Sequence, residues 1–262
     1  MAIASDFANL WAWYDARTGG WGDQSGNGRD ATLPGGSHNP TIASGVALGS
    51  DAFLFTGSAQ QYVTLPSMAA LTKGEVYLVI RLQNDPPPSP SLVGLWDQGF
   101  GNSSNWVSFP YTSSHIFDSW GSSVVRDLGT SHPSLTNRFR VYNVRSDAGL
   151  WVAGFDGQAI FSTATNTTQF IATPSLGRSV PTASAPSWLD GWIAQYFVYS
   201  AIRTDAERAA LIGSLITTYA LRSLIASQLI QVSSAGGTGG TGGGPGGLGD
   251  TAGGAAWMHR KG

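Results

Sequence analysis

The 262-residue sequence lacks cysteine and contains only two lysines, Lys73 and Lys261. Without cysteine the chain has no disulfides, no cysteine-ligated zinc and no thiol nucleophile. Charged residues make up only 11% of the chain, and 14 basic against 16 acidic residues give a net charge of −2, which provides no field that attracts nucleic acid. No apolar run approaches the roughly 18 residues that span a bilayer, and the first residues lack the basic and apolar regions of a signal peptide. We therefore expect no nucleic-acid partner, no membrane span and no signal peptide.

Glycine and aromatic residues are abundant instead, with 35 Gly and 10 Trp. Aromatic side chains bury large areas and pack well on β-sheets, so this composition favours an all-β fold. Short apolar runs separated by Gly, Pro, Asn and Ser are typical of a sandwich or jelly roll. The predicted strands are residues 10–14, 52–55, 62–65, 76–80, 106–109, 139–142, 150–153, 159–161 and 192–199.

The pattern changes after Tyr199. Thr204 and Glu207 have the spacing of a capping box, and apolar residues then recur at intervals of three and four, which predicts a helix over 204–221. We accordingly divide the chain into a domain at 1–222 that includes this helix, an apolar connector at 223–232 and a glycine-rich tail at 233–262.

Four motifs follow one another between residue 10 and about residue 220. They are the Trp-rich opening with its Asp-Gln-Ser-Gly-Asn-Gly turn (10–32), the Phe-Leu-Phe-Thr-Gly and Tyr-Val-Thr-Leu-Pro strand pair (53–66), the Asp-Gly hairpin (151–157), and the closing strand and helix (189–208). In this order they resemble the laminin-G-like, concanavalin A-like jelly-roll domains of bacterial surface proteins and phage virions. The resemblance implies an all-β jelly-roll sandwich with one C-terminal helix. Gln195 departs from the family pattern, which usually has an acidic residue there.

The resemblance also implies a function. We expect a non-enzymatic structural component of a phage virion, assembled in the host cytoplasm, tail-associated in the manner of a minor tail protein and contributing to contact with the host surface. The alternatives are a capsid decoration protein, a carbohydrate-binding module of a bacterial surface protein and a glycoside hydrolase.

Catalytic groups are scarce. Glycosidases of this fold use two carboxylates from one Glu-x-Asp-x-Glu strand, and the chain has only two glutamates, Glu75 and Glu207, outside any such run. Asp118 and Asp127 remain as a formal carboxylate pair. His38, His115 and His132 have no nucleophile motif nearby and are interpreted as exposed loop residues. We therefore predict no catalytic residues and no enzymatic activity.

Two kinds of binding site remain open. Four aromatic residues lie in Gly/Ser/Asn-rich stretches where a ring suits a sugar, although packing in the core is the favoured explanation for them: Trp96, Trp106, Tyr111 and Trp120. Asp97 and Asn102 offer hard oxygen ligands for calcium, the one cofactor considered, although turn chemistry accounts for them too.

The tail carries a three-residue glycine period and an apolar, basic end. Such a segment becomes ordered only when neighbours satisfy its backbone groups, so we predict that it is the assembly element and joins the domain to other virion proteins or to copies of itself. The alternative is a flexible linker. The residues assigned to assembly are Gly237, Gly240, Gly243, Gly246, Gly249, Trp257, Met258 and Arg260.

Overall fold

A computed structural model of the chain describes residues 8–84, 93–98, 109, 114–179 and 187–221. The strands are β1 (Leu10–Asp15), β2 (Thr41–Ala47), β3 (Ser50–Phe55), β4 (Val63–Thr64), β5 (Gly74–Leu82), β6 (Trp96–Asp97), β7 (Phe117–Asp118), β8 (Arg126–Asp127), β9 (Arg140–Asp147), β10 (Leu150–Phe155), β11 (Gln158–Thr163), β12 (Ser175–Leu176), β13 (Arg178–Ser179), β14 (Ser187–Trp188) and β15 (Gly191–Tyr199). Short 3-10 helices span Ala16–Thr18, Gly36–His38 and Gly57–Ala59. Helix α1 spans Asp205–Ile216 and is followed by a π-helical turn at Thr217–Leu221. No helix in these described ranges is long and apolar enough to cross a membrane.

The larger sheet forms one layer of a sandwich. Its antiparallel strands follow the order β11-β10-β9-β5-β15-β3-β2, and β1 pairs with the second half of β15. The central strands β5 and β15 are buried on both faces, which explains their almost continuous apolar sequences.

The second layer is made of shorter strands. They form the sheet β4-β12-β6 and the two-stranded pairs β13-β14 and β7-β8. Side chains from both layers meet in a dense apolar core, in which Trp21 stacks on Phe53 with ring centroids 3.8 Å apart. Because side chains alternate along a strand, the residues of the short strands that do not enter this core lie on the outer face of the second layer.

Helix α1 covers the other face of the larger sheet. Its apolar residues Leu211, Ile212 and Leu215 pack on Tyr77, Phe197 and their neighbours, forming a second core. A buried ion pair also joins helix to sheet, with Arg208 Nε 2.6 Å from the Oε1 of Glu75. Glu75 is fully buried and also accepts hydrogen bonds from the Tyr77 hydroxyl and the Arg203 backbone N–H. Glu75 therefore has a structural role, as the anchor of helix α1 on the sheet.

Local predictions at two turns are confirmed. Thr204 Oγ1 accepts from the backbone N–H of Glu207 while the Glu207 carboxylate accepts from that of Thr204, which completes the capping box. Asp156 and Gly157, with φ of 50° and 86°, connect β10 to β11 in a tight hairpin. The predicted helix of 204–221 differs in its last turn, where the hydrogen bonding becomes π-helical after Ile216.

Candidate functional site

Two of the aromatic residues predicted to contact a sugar lie in the interior. Trp96 and Trp120 are both 0% exposed. Their indole N–H groups donate to Asp118 Oδ1 at 2.9 Å and to Gln98 Oε1 at 2.8 Å. The structure corrects the prediction for these two residues, because a ring enclosed on both faces has no surface for a ligand.

Apart from Asp97, the remaining sequence-predicted binding residues fall outside the described residues. These are Trp106, Tyr111, Asn102 and the tail residues Gly237, Gly240, Gly243, Gly246, Gly249, Trp257, Met258 and Arg260. Their proposed roles remain predictions.

The formal carboxylate pair does not form one site. Asp118 is fully buried and accepts from Trp96, from the backbone of Trp120 and from the Tyr142 hydroxyl at 2.7 Å. Burial raises the pKa of Asp118 to about 6, outweighing these hydrogen bonds. Asp127 is 49% exposed and accepts from His115. One carboxylate thus serves the core while the other faces solvent.

The three histidines considered as catalytic groups bond locally. His38 Nδ1 lies 3.0 Å from the Ala59 carbonyl oxygen, and His132 Nε2 lies 2.8 Å from that of Ser114. Within the described ranges, the hydrogen bonds of the His115 ring go to the exposed Asp127 carboxylate. None of these contacts sets a base beside a nucleophile.

A group of aromatic and charged side chains occupies the outer face of the second layer. We call it the outer patch; it comprises Tyr62, Asp97, Arg178 and Trp188, all of which are half-buried. Antiparallel pairing brings these residues together from four separate segments of the chain. Asp97 lies opposite Ser175, and Arg178 lies opposite Trp188.

Gly177 makes this arrangement possible. It has a φ of 91°, and a Cβ at this position would lie 2.4 Å from the ring of Phe55, so only glycine fits. Its N–H donates to the carbonyl of Leu95, and its carbonyl accepts from the N–H of Leu189. The backbone therefore passes from the pairing of β12 to that of β13 with Arg178 directed outward.

The outer patch combines an aromatic pair with a cation. The Tyr62 and Trp188 rings are 5.9 Å apart at an angle of 46°, and the guanidinium carbon of Arg178 lies 4.0 Å from the centre of the Tyr62 ring. Arg178 Nε donates to Ser175 Oγ at 3.3 Å. No other hydrogen bond of the Arg178 guanidinium is made to the described residues, which leaves its terminal nitrogens available to a ligand.

Asp97 supplies the opposite charge. Desolvation by burial raises its pKa to about 6, and the positive charge of Arg178 partly counteracts this shift. Within the described ranges the Asp97 carboxylate accepts no hydrogen bond, and it forms no ion pair with Arg178. As far as the described residues show, the outer patch thus combines an acceptor and a donor that have bonding capacity left with two half-buried aromatic rings.

Only one of the two predicted calcium ligands is among the described residues. Asp97 lies on strand β6, while Asn102 lies outside the described residues. Among the residues described, no three His, Asp or Glu side chains come together as a metal centre. Calcium binding by Asp97 stays a prediction.

A cleft of about 460 Å³ lies between helix α1 and the β10–β11 hairpin. Arg145, Asp156, Asp205 and Arg208 contribute charges to it. Asp205 pairs with Arg208, and Asp156 pairs with Arg140 at 2.9 Å. Since these charges compensate one another locally, the cleft offers less to a ligand than the outer patch does.

The sequence matches no protein-family model and no curated protein. Solved structures do resemble the chain. Domain 4 of AbnA, a GH43 extracellular arabinanase of Geobacillus stearothermophilus in complex with arabinotriose, has a TM-score of 0.59 and 18% identity over 78% of this chain and 98% of its own. The chain has a jelly-roll-like β-sandwich fold.

Two botulinum neurotoxin domains are similar to the same degree. The binding domain of botulinum neurotoxin DC in complex with SialylT has a TM-score of 0.59 and 13% identity over 80% of this chain. The ligand binding domain of serotype D in complex with N-acetylneuraminic acid has a TM-score of 0.59 and 13% identity over 82% of this chain. This chain spans about half the length of each, 52%. At these identities the likeness establishes the fold.

Proposed function

We propose that this β-sandwich is a non-catalytic carbohydrate-binding domain and that its outer patch is the binding surface. The observation that carries the proposal is the juxtaposition of the Tyr62–Trp188 ring pair with two charged groups. Within the described residues, the Asp97 carboxylate accepts no hydrogen bond, and the Arg178 guanidinium donates only through Nε, to Ser175. Aromatic rings pack against the apolar C–H faces of a sugar, and charged groups beside them bind its hydroxyls in strong hydrogen bonds.

The non-catalytic assignment rests on the carboxylates. Glu75 and Asp118 are buried and bonded to protein groups, and Asp127 faces solvent beside His115, whereas glycoside hydrolysis needs two cooperating carboxylates about 5 to 9.5 Å apart. The similar neurotoxin structures are binding domains as well, and the AbnA domain is in complex with arabinotriose. Because fold alone does not determine function, the outer patch remains the main argument.

A glycan array with matched variants tests the proposal. Trp188→Ala should abolish binding to glycans that the wild-type protein retains. Trp192→Ala is the control, because Trp192 is also half-buried and also carries an arginine over its ring, Arg81 at 4.2 Å, but packs beside the core under helix α1. Equal loss of binding in both variants, or no retained glycan at all, would contradict the assignment.

We further propose that the domain acts within a phage virion, as a tail-associated structural protein that contacts the host surface. The motif resemblance supports this placement, and a surface-directed sugar site suits it. Mass spectrometry of purified particles should detect the chain, and gold-labelled antibodies should decorate the tail. Labelling of the capsid would instead indicate a decoration protein, and absence from particles would indicate a module of a bacterial surface protein.

A further inference from the structure

We infer that the outer patch selects a neutral saccharide over an acidic one, with Asp97 and Arg178 binding neighbouring hydroxyls. This inference rests on the proposed function. It depends on one juxtaposition, namely that opposite charges share the patch without neutralising each other through a direct ion pair between them.

Asp97 sets the requirement for a donor. Asp97 is half-buried on strand β6, where its backbone pairs with that of Ser175 on β12. A carboxylate removed from water without hydrogen bonds is destabilised, so a ligand that donates to it recovers free energy. A sugar hydroxyl is such a donor, whereas an ionised acid group is only an acceptor.

Arg178 sets the requirement for an acceptor. Its guanidinium carbon lies 4.0 Å from the centre of the Tyr62 ring, and its Nε donates to Ser175 Oγ, so two protein contacts position the group before any ligand binds. Its terminal nitrogens can donate to the oxygen of one sugar hydroxyl while another hydroxyl of the same ligand donates to Asp97. The two charged groups therefore suit a ligand that offers both a hydroxyl donor and a hydroxyl acceptor.

An acidic sugar meets an electrostatic penalty at this site. A ligand carboxylate attracted by Arg178 would also approach Asp97, and like charges repel more strongly where water is partly excluded. Arg178 is the charged group that acts on Asp97 from the neighbouring strand. An acidic sugar would bind well only with Asp97 protonated, which occurs as the pH falls below its raised pKa of about 6.

Calorimetric titration with paired probes tests this selection. The probes are a neutral galactose trisaccharide and the galacturonic acid trisaccharide of the same linkage, together with the neutral arabinotriose. At pH 7.5 we expect a neutral probe to bind at least tenfold more tightly than the uronic acid. Asp97→Asn, which keeps the side-chain size, should weaken neutral-sugar binding about 10- to 100-fold, the scale of a charge-assisted hydrogen bond.

The pH dependence provides the second readout. Neutral-sugar affinity of the wild type should fall between pH 7.5 and pH 5 as Asp97 becomes protonated, and Asp97→Asn should lose this dependence. Near-ultraviolet circular dichroism verifies that the variant is folded.

The possible outcomes distinguish failure of the selectivity from failure of carbohydrate binding itself. Tighter binding of the uronic acid, strengthened by Asp97→Asn, would overturn the selection while leaving carbohydrate binding intact. An unchanged affinity of Asp97→Asn for the neutral probe would overturn it as well. Failure of the wild type to bind any of the probes or any glycan of the array would refute the proposed function and the selection with it.

Discussion

Replacing Glu75 by glutamine should destabilise the domain more than any comparable polar substitution at its surface. Glu75 is fully buried, and Arg208 contacts it through Nε at 2.6 Å and through a second guanidinium nitrogen at 3.2 Å. The Arg203 N–H and the Asn143 side-chain amide also donate to this carboxylate. Glutamine keeps the volume but loses the charge and directs an N–H₂ group at these donors.

The expected loss follows from the burial of the pair. Breaking a buried ion pair from one side costs about 3–5 kcal/mol, because the remaining charge stays desolvated. With a urea m-value of about 2–3 kcal/mol/M, the midpoint of unfolding should fall by roughly 1 M or more. Far-ultraviolet circular dichroism during a urea titration measures this shift.

Asp205→Asn is the matched control. Asp205 contacts the same arginine but is 94% exposed, so its removal should cost less than about 1 kcal/mol. A double variant that also changes Arg208 to methionine should recover part of the stability lost in Glu75→Gln, since no buried charge is then left alone. A loss below about 1 kcal/mol for Glu75→Gln would refute the view that this pair fastens helix α1 to the sheet.

Four further predictions concern other parts of the chain. Thr204→Ala should lower the free energy of unfolding by about 0.5–2 kcal/mol in a denaturant melt, and a change within error would mean that the cap contributes nothing. The purified protein should release no reducing sugar from β-glucans or bacterial polysaccharides, and turnover that disappears on changing one aspartate to asparagine would contradict the non-catalytic assignment. Because burial raises the pKa of Asp97 to about 6, above its unfolded value, its contribution to stability is present below about pH 4 and is lost as the pH rises through 6. Asp97→Asn should remove that part of the pH dependence in thermal melts, and an identical profile for both proteins would contradict it. Deleting residues 234–262 should leave the domain folded by circular dichroism but abolish its incorporation into particles or reduce an oligomer to monomer in sedimentation, and normal assembly would make the tail only a linker.

The central strands of the larger sheet could be predicted from the sequence, because short local runs of apolar residues mark them. The predicted runs at 76–80 and 192–199 lie within β5 and β15, which are apolar because both faces are buried. Strand β2 was missed. Its sequence Thr-Ile-Ala-Ser-Gly-Val-Ala is mostly exposed at one edge of the sheet, so no alternation of apolar and polar residues marks it.

The candidate site was harder to predict from the sequence, because pairing between strands that are distant along the chain creates it. The sequence predicts Asp97 as an oxygen ligand but does not connect Tyr62 and Trp188 with it, because strand pairing across much of the chain brings the three residues together. Trp96 and Trp120 show the opposite error. Small polar neighbours suggested exposed rings, whereas Asp118 and Gln98, each 22 positions from its partner, satisfy their N–H groups inside the core.

Gln195 illustrates a departure whose meaning the sequence alone did not reveal. Its Nε2 donates to Asp15 Oδ2 at 2.6 Å within the buried part of the sheet. An acidic residue there would place two carboxylates in contact, which is costly in a buried position. The amide is therefore matched to this chain's own neighbour on β1.

The pairing of β1 with β15 also determines when this domain is able to fold during translation. Asp15 and Gln195 are 180 positions apart, so at about 5–20 residues per second the ribosome needs roughly 9–36 s between synthesising the two partners. Throughout that interval β15 has not been synthesised, so β1 and β3 lack the strand that pairs with both, and β5 lacks one of its two neighbours. Ribosome-bound chains stalled near residue 190 should accordingly be digested readily by protease, and chains extended far enough to free β15 from the exit tunnel should become resistant in a single step.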